Sequence, residues 1–221
     1  MKKVIFSAFV LSTLLFSETA NAQTLASAAK VATTKENKVV KGASYKIDPA
    51  QSTMTWNGKK VTGEHNGTIN IANGELEADK NKIVGGNVVI DMNSIVNLDL
   101  TDKEYNQKLI GHLKSDDFFS TEKHPQATFK INKVTPIKGI KAGEANYNVS
   151  GLLTIKGITQ PVSFPAVVNV QGNTISAKSD AVTLDRTKWD IRYGSKSFFA
   201  NIGDKAINDD FTVKFNLVAK Q

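Results

Sequence analysis

The stretch YNVSGLLTIKGITQPVSFPAVVNV, residues 147–170, contains two apolar rows of period two on either side of a short connection. The first row is Tyr147, Val149, Gly151, Leu153 and Ile155, and the second is Val162, Phe164, Ala166, Val168 and Val170. Because successive side chains of a β-strand point to opposite faces, each half places its apolar side chains on one face. With Gly157 in the connection, the stretch predicts a β-hairpin with one apolar face.

The same short alternation recurs along most of the chain. Candidate strands are centred on the pairs Met54 and Trp56, Ile69 and Ile71, Val88 and Ile90, Ala127 and Phe129, Ile175 and Ala177, Val182 and Leu184, and Phe211 and Phe215. Turn residues separate them, and Asn73-Gly74 is a dipeptide typical of tight hairpin turns. About eight to ten short strands with this spacing are typical of an antiparallel barrel or sandwich.

Residues 101–114 break the alternation and predict a helix. Their first four letters, TDKE, have the form of a capping box, in which Thr101 and Glu104 satisfy free backbone N–H groups. Apolar residues then recur at i, i+4 and i+8, at Tyr105, Leu109 and Leu113. We expect this helix to end near Lys114 and to lie across the sheet or over an opening.

The N-terminus has the three regions of a secretory signal peptide. A basic start and an apolar run over residues 4–16 precede a small-x-small cleavage site at Ala20 and Ala22. The run is shorter than the about 20 apolar residues that a membrane-spanning helix needs. We therefore divide the chain into a signal peptide, a flexible leader and one domain, at residues 1–22, 23–43 and 44–221. This division predicts an exported, soluble protein of the periplasm or the external medium.

The composition argues against several classes of function. The chain contains no Cys, which excludes disulfides, Cys-ligated metals and thiol nucleophiles. The three histidines, His65, His112 and His124, form no H-x-H, H-x-x-H or HExxH pattern, so we expect no metal site. The net charge of +7 comes from scattered Lys residues without the aromatic interleaving of nucleic-acid-binding proteins. We expect no nucleic-acid partner and no cofactor, while transient contact with an anionic membrane surface is compatible with the basic excess.

Candidate catalytic groups are sparse. The doublets Asp116-Asp117 and Asp209-Asp210 do not form acid–base pairs by themselves, because adjacent carboxylates on a strand point to opposite faces. The chain has no G-x-S-x-G elbow, no P-loop and no dinucleotide fingerprint. Apolar and aromatic residues are left as the main feature. A barrel of eight strands is wide enough to be filled by side chains or to hold one small ligand, and both alternatives stay open.

Three blocks of sequence carry a family resemblance. They are HLKSDDFF at residues 112–119, GLLTIKGIT at residues 151–159 and DRTKWDIRYG at residues 185–194. Together they resemble the YceI-like family of exported, lipocalin-like barrels that bind polyisoprenoid lipids, over about residues 45–219. The resemblance implies an all-β fold, an antiparallel lipocalin-like barrel of about eight strands with at least one short helix.

The resemblance also implies a function, the non-catalytic binding of a long-chain amphiphilic lipid inside the barrel. The lipid would be an isoprenoid or an isoprenoid quinone, carried or stored in the cell envelope. The candidate wall residues are Trp56, Val88, Ile90, Phe118, Phe119, Phe129, Tyr147, Leu153, Ile155, Phe164, Trp189 and Phe215. Arg186 and Arg192 are candidates for holding the head group, and the alternative for both is a salt bridge at the barrel rim.

Two other functions stay open. A filled barrel could act as a stress-related interaction module, and a dry, fully packed interior would favour it. A hydrolase acting on small apolar substrates would need the dispersed histidines and carboxylates to meet around one pocket. The oligomeric state is not fixed by the sequence, and a homodimer is one option.

Overall fold

The computed structural model describes residues 42–221, so the predicted signal peptide and nearly all of the predicted leader lie outside the described residues. Within that range the chain forms ten strands and one α-helix, α1 (Lys103–Lys114). The strands are β1 (Ala43–Ile47), β2 (Thr53–Lys60), β3 (Gly63–Asp79), β4 (Lys82–Asn97), β5 (Gln126–Pro136), β6 (Tyr147–Ile155), β7 (Ile158–Gln171), β8 (Thr174–Lys178), β9 (Val182–Asp185) and β10 (Ile207–Lys220). Two 3-10 turns, Arg186–Trp189 and Gly203–Lys205, lie between β9 and β10. No helix in this part of the chain is long and apolar enough to span a bilayer.

The strands close into a ring in which all pairings are antiparallel. The order β10-β2-β3-β4-β5-β6-β7-β8 returns to β10 through the β8–β10 pairing. β1 continues the position of β2 by pairing with β3 and β10, and β9 continues the position of β8 beside β10. The predicted all-β, antiparallel barrel of about eight strands with a helix is therefore confirmed.

The hairpin that the sequence predicts is present. β6 and β7 pair without interruption from Tyr147 opposite Ala166 to Ile155 opposite Ile158. The two connecting residues, Lys156 and Gly157, have φ of 51° and 75°. Positive φ at both positions is the backbone of the hairpin turn that matches strand twist, which is why a glycine is found there.

One predicted turn is wrong. Asn73 and Gly74 lie inside β3, where they pair with Val89 and Val88 of β4. The turn between these strands instead lies at Lys80 and Asn81, both with positive φ. A Cβ at Gly74 would lie 2.5 Å from Ile47 Cδ1, so this glycine provides room for β1 to pack rather than a turn.

Helix α1 ends at Lys114 as expected, but its cap and its inner face differ from the prediction. The side chain of Asp102, not Thr101, accepts hydrogen bonds from the backbone N–H groups of Glu104 and Tyr105. Tyr105 is exposed, and the side towards the barrel carries Leu109 and Leu113. The predicted N-cap is therefore one residue too early, since Asp at position 102 caps a helix as well as Thr does.

A matched pair of glycine substitutions tests the fold. A Cβ at Gly151 in β6 would lie 2.3 Å from Lys130 O and 2.7 Å from the Phe129 ring. We expect Gly151→Ala to lower the free energy of unfolding by about 1–3 kcal/mol in urea titrations, because the neighbours must shift. Gly111→Ala is the control, since nothing lies within 4 Å of that Cβ on α1. It should stabilise the protein by about 0.5–1 kcal/mol, and a loss similar to that of Gly151→Ala would contradict the packing described.

Candidate ligand-binding cavity

The interior of the ring is hollow. The cavity has a volume of about 680 Å³. Small-molecule sites in proteins measure roughly 300–1,000 Å³, so this void is large enough for a ligand. A dry, fully packed interior would favour the filled-barrel alternative, and the structure has no such interior in the part of the chain it describes.

The cavity is long and narrow. On β3 alone its lining extends from His65 to Leu76, which is about 35 Å along the strand. Strands in barrels tilt by roughly 35–45°, so the cavity extends about 25–30 Å along the barrel axis. A volume of this size over that length fits an extended chain better than a compact molecule.

Polar groups line only one end of the cavity, which we call the mouth. The polar lining residues there are Lys59, Lys60, Thr62, His65, His112, Arg186, Tyr193, Asp204, Lys205, Asn208 and Asp210. They belong to one end of the barrel, because Lys60 pairs with Ile207 and the His112 ring lies 4.4 Å from the Tyr193 ring. The remaining lining is almost entirely apolar. A ligand that matches this wall has a long apolar tail and one polar end.

Helix α1 lies at the mouth. Leu109, His112 and Leu113 contribute to the lining. The helix is fastened to β4 by polar bonds, with Asn106 Nδ2 donating to Asn97 O at 3.2 Å and Lys114 Nζ donating to Asn93 O at 2.6 Å. None of its residues is fully buried, so α1 lies on the barrel as a shallow cover.

The structure places ten of the twelve predicted wall residues on the cavity lining. They are Trp56, Val88, Ile90, Phe118, Phe119, Phe129, Leu153, Ile155, Phe164 and Phe215. Several of their rings touch one another, with centroids 5.5 Å apart for Phe129 and Phe164 and 5.6 Å apart for Phe164 and Phe215. Their contact with a lipid stays a prediction.

The other two predicted wall residues do not line the cavity. Trp189 is 1% exposed, and its indole N–H donates to Leu153 O at 3.2 Å. It therefore packs behind the lining, in the 3-10 turn after β9. Tyr147 is half-buried at the first residue of β6, opposite Ala166, and lies beyond the lining. Aromatic character led to the prediction for Trp189, whereas Tyr147 has the parity of the inward row but stands at the first residue of β6.

Several lining residues escaped the sequence analysis. Phe211, Val213 and Leu217 lie on β10 with the parity of Phe215, so strand alternation would have found them. Leu76 and Ile83 flank the β3–β4 turn and were hidden by the misplaced turn. The polar mouth residues have no local sequence signal, because the fold gathers them from separate segments.

Arg186 lines the cavity, but most of its N–H groups donate to backbone carbonyls of the protein. Its Nε donates to Asn208 O at 3.0 Å, Nη1 to Ile191 O at 2.8 Å and Nη2 to Ile207 O at 3.1 Å. Nη2 also lies 3.4 Å from Asp209 Oδ1. Burial lowers the pKa of the guanidinium, and the charges of Asp209 and Asp185 oppose that shift. Arg186 thus fastens the segment after β9 to the start of β10.

Asp209 is the acidic partner of this clamp. Burial raises the pKa of its carboxyl group, but hydrogen bonds from Ser195 and Ser197 and the charge of Arg186 bring it below its ordinary value. Ser197 Oγ donates to Asp209 Oδ2 at 2.6 Å. The carboxylate is therefore committed to structure rather than available as a base.

Arg192 lies outside the cavity lining. Its side chain is 56% exposed, its Nε lies 2.6 Å from Asp190 Oδ1, and its guanidinium lies 4.6 Å from the centre of the Phe198 ring. The two head-group candidates are thus separated by burial, since Arg186 is inside and Arg192 is on the outer rim. Both form the salt bridges that were the alternative for them.

Only some of the histidines and of the paired aspartates lie at the mouth of the cavity. His65 and His112 reach the mouth, whereas His124 does not line the cavity. His65 Nδ1 lies 2.7 Å from Asp99 Oδ2. Burial raises the pKa of Asp99, but the hydrogen bonds that its carboxylate accepts from Asn66, His65 and Asn97 lower the pKa overall. Among residues 42–221, no three His, Asp or Glu side chains are grouped to hold a metal.

Comparison with known proteins identifies the domain. Residues 45–219 match the YceI-like domain. A UPF0312 protein of Pectobacterium carotovorum is 38% identical over 87 residues, which are 39% of this chain and 38% of that protein. A UPF0312 protein of Vibrio parahaemolyticus is 32% identical over 109 residues, which are 48% of this chain and 51% of that protein. The matches thus cover about two fifths to one half of these curated relatives.

Two solved structures share the fold. BcnA from Burkholderia cenocepacia is 27% identical, with a TM-score of 0.57 over 79% of this chain and 99% of BcnA. A polyisoprenoid binding domain from Saccharophagus degradans, implicated in plant cell wall breakdown, is 16% identical, with a TM-score of 0.57 over 80% of this chain and 97% of that domain. At 16% identity the second likeness shows the fold alone.

The contrast between the two arginines can be measured. We expect Arg186→Gln to lower the free energy of unfolding by about 3 kcal/mol at neutral pH, because it leaves the Asp209 carboxylate without its cation. Arg192→Gln should cost less than about 1 kcal/mol, because its ion pair is exposed to water. Urea titrations of both variants check this, and equal losses would show that Arg186 is not a structural clamp.

Proposed function

The chain belongs to the YceI-like family, and on that premise we propose that it binds a long-chain amphiphilic lipid of the isoprenoid class inside the barrel without transforming it. The observation that carries this proposal is the polarity of the cavity. Its wall is apolar over most of its length, and its polar groups are gathered at the mouth. This arrangement complements a molecule with an apolar tail and one polar head.

The energetics favour a long tail. Each CH₂ group removed from water contributes about 0.8 kcal/mol, and the loss of translational and rotational freedom on binding costs about 4–15 kcal/mol. A tail with few carbons does not offset that cost, whereas a tail that fills the whole length of the cavity does. Tight binding therefore requires a ligand of several isoprene units rather than a single one.

The isoprenoid class is supported by one neighbour of the same fold, described as a polyisoprenoid binding domain. The head-group chemistry is suggested by the mouth. His65, Tyr193 and Asn208 offer hydrogen-bonding groups there, while Arg186 is already held by backbone carbonyls. Hydrogen bonding to a carbonyl or hydroxyl head, as in a quinone or a polyprenol, is compatible with these groups.

The protein would carry or store this lipid in the cell envelope. The three signal-peptide regions within residues 1–22 support export to the periplasm or beyond. A lipid of this kind has a large apolar surface, so it needs a shield whenever it leaves a bilayer. A hydrolase is the second candidate, and the His65–Asp99 and His112–Asp117 pairs at the mouth favour it.

Native mass spectrometry of the protein purified gently from its own host tests the binding function. We expect a stoichiometric apolar adduct that organic extraction identifies as an isoprenoid. A clean apo mass that does not change after incubation with prenyl quinones and polyprenols would overturn the proposal. A released acid or alcohol in place of intact lipid would favour the hydrolase.

Substitutions in the wall should reduce the amount of retained lipid. Phe129→Asp places a carboxylate against the tail, which is costly without a partner. Ala177→Phe fills the cavity without adding a polar group, and overpacking of about 1–3 kcal/mol should weaken binding about tenfold. Lys138→Ala, in the β5–β6 loop, is the control and should retain lipid like the wild type. Equal retention in the folded Phe129→Asp and Lys138→Ala variants would remove Phe129 from the wall.

A further inference from the structure

We propose that the mouth of the barrel docks on an anionic lipid bilayer through a rim of exposed apolar side chains. The mouth rim consists of Val61, Tyr193, Phe198 and Phe199. The inference rests on the proposed function, because a lipid carrier must take up and release its ligand at a membrane. It adds the surface by which the carrier meets that membrane and the side chains that enter it.

The mouth rim gathers four of the ten large apolar side chains that are exposed among the described residues. Their exposed fractions are 51% for Val61, 47% for Tyr193, 45% for Phe198 and 52% for Phe199. Single exposed apolar residues are ordinary, but a contiguous group on one surface marks an interaction site. The four exposed side chains therefore mark a candidate interaction surface.

Backbone hydrogen bonds join the two segments of the rim. Val61 N, between β2 and β3, donates to Ala206 O at 3.2 Å. Ile207 N donates to Gly194 O at 2.8 Å, which brings both ends of the loop between Tyr193 and Ile207 to this point. The turn that carries Val61 and the loop that carries the aromatic residues thus form one edge.

The loop that carries the two phenylalanines is fixed in its exposed conformation. The backbone N–H groups of Phe198 and Phe199 both donate to Ser195 O, at 3.3 and 3.0 Å. Ser195 is fully buried, and Ser197 Oγ donates to Asp209 Oδ2. The chain thus uses specific bonds to hold two adjacent rings half in water, where they contribute little to the core. Aromatic rings held in this way are suited to the boundary between head groups and acyl chains.

The mouth rim is continuous with the cavity. Tyr193 belongs to both, and Lys60, Thr62 and Lys205 from the same turn and loop also line the mouth. A bilayer that covers the rim would therefore face the polar end of the cavity directly. A lipid could pass between bilayer and barrel without exposing its tail to water.

The charges around the rim favour an anionic membrane as the occupant. Lys60, Lys196 and Lys205 lie on the two rim segments, and within residues 42–221 none of them has an ion pair with a carboxylate. Asp204, beside Lys205 on the same loop, has no ion pair in this range either, so the rim segments keep an excess of two unpaired positive charges. Each Lys close to an anionic membrane surface strengthens binding about fivefold at moderate salt. An acidic protein surface would meet the same charges, but it would not explain why the apolar side chains border a lipid cavity.

A fluorescence experiment locates the docking surface. The variant Phe199→Trp is mixed with vesicles of phosphatidylcholine, with or without phosphatidylglycerol, whose acyl chains carry bromine. We expect the added indole to be quenched on vesicles that contain phosphatidylglycerol. Ile140→Trp is the matched control, because Ile140 is 39% exposed in the β5–β6 loop at the opposite end, between Lys138 and Lys141. Equal quenching of the two variants, or none for Phe199→Trp, would overturn the proposal.

Vesicle sedimentation of the whole protein gives a second readout. The double variant Phe198→Ser/Phe199→Ser should bind vesicles about tenfold or more weakly, because two half-exposed rings no longer enter the interface. Lys196→Gln should weaken binding about fivefold only on vesicles with phosphatidylglycerol, and Lys138→Gln should not. Binding of the double variant equal to that of the wild type would contradict the role of the rim.

The same samples separate this inference from the proposed function. Native mass spectrometry of the double variant should show the lipid adduct of the wild type, because neither phenylalanine lines the cavity. A wild-type protein that holds lipid but never binds vesicles would refute docking and leave the lipid-binding function intact. A protein that binds vesicles through the rim but holds no lipid would support docking and refute the lipid-binding function.

Discussion

The closure of the sheet by β10 is the constraint on which the rest of the structure depends. This strand pairs with β2 and β1 on one side and with β9 and β8 on the other, and Asn216 stands opposite both Thr53 and Lys178. Without it the sheet would have two unpaired edges, with free N–H and C=O groups along each. Once the ring closes, the period-two alternation acquires an inside and an outside. Each inward row then becomes the wall of an enclosed space instead of one face of a layer.

The size of the inward side chains decides that this space stays hollow. Small residues such as Ala127, Ala166 and Ala177 line the cavity at positions where a Leu or Phe would reach towards the axis. The aromatic rings lie against one another along the wall, as Phe164 does between Phe129 and Phe215, and do not fill the centre. Atoms that line an empty space lack contact partners on one side, so an apolar tail would restore dispersion contacts that the protein alone does not make. The ladder hydrogen bonds close the ring, and the buried apolar side chains pack against their neighbours along its wall.

Strand alternation made the fold and most of the wall predictable. Residue parity within the segment 147–170 gave the hairpin and its inner face, because burial of one face of a strand fixes its register. The same alternation includes Phe211 and Val213, although only Phe215 of this strand was predicted as a wall residue. Other features depended on contacts distant in sequence. Gly74 was predicted as a turn residue, but it lies in β3 and leaves room for Ile47. Trp189 was predicted as a wall residue, but its indole N–H donates to Leu153 O behind the lining. The role of Arg186 is set by carbonyls about twenty residues away, at Ile207 and Asn208, which no local pattern reveals.

The two ends of the barrel are unlike, because the polar lining lies at one of them only. The polar lining, the exposed aromatic residues and helix α1 all lie at the mouth, so a tail that enters there ends in the apolar part with its head near the polar groups. Helix α1 has no fully buried residue and contacts the barrel through the half-buried Ile110 and Leu113 and through side-chain bonds from Asn106 and Lys114. The segment after β9 is instead held by the buried Arg186 clamp and by Trp189. Local opening follows the elements with the fewest buried contacts. Helix α1 therefore has fewer buried contacts at the mouth than the segment after β9, which the Arg186 clamp holds in place.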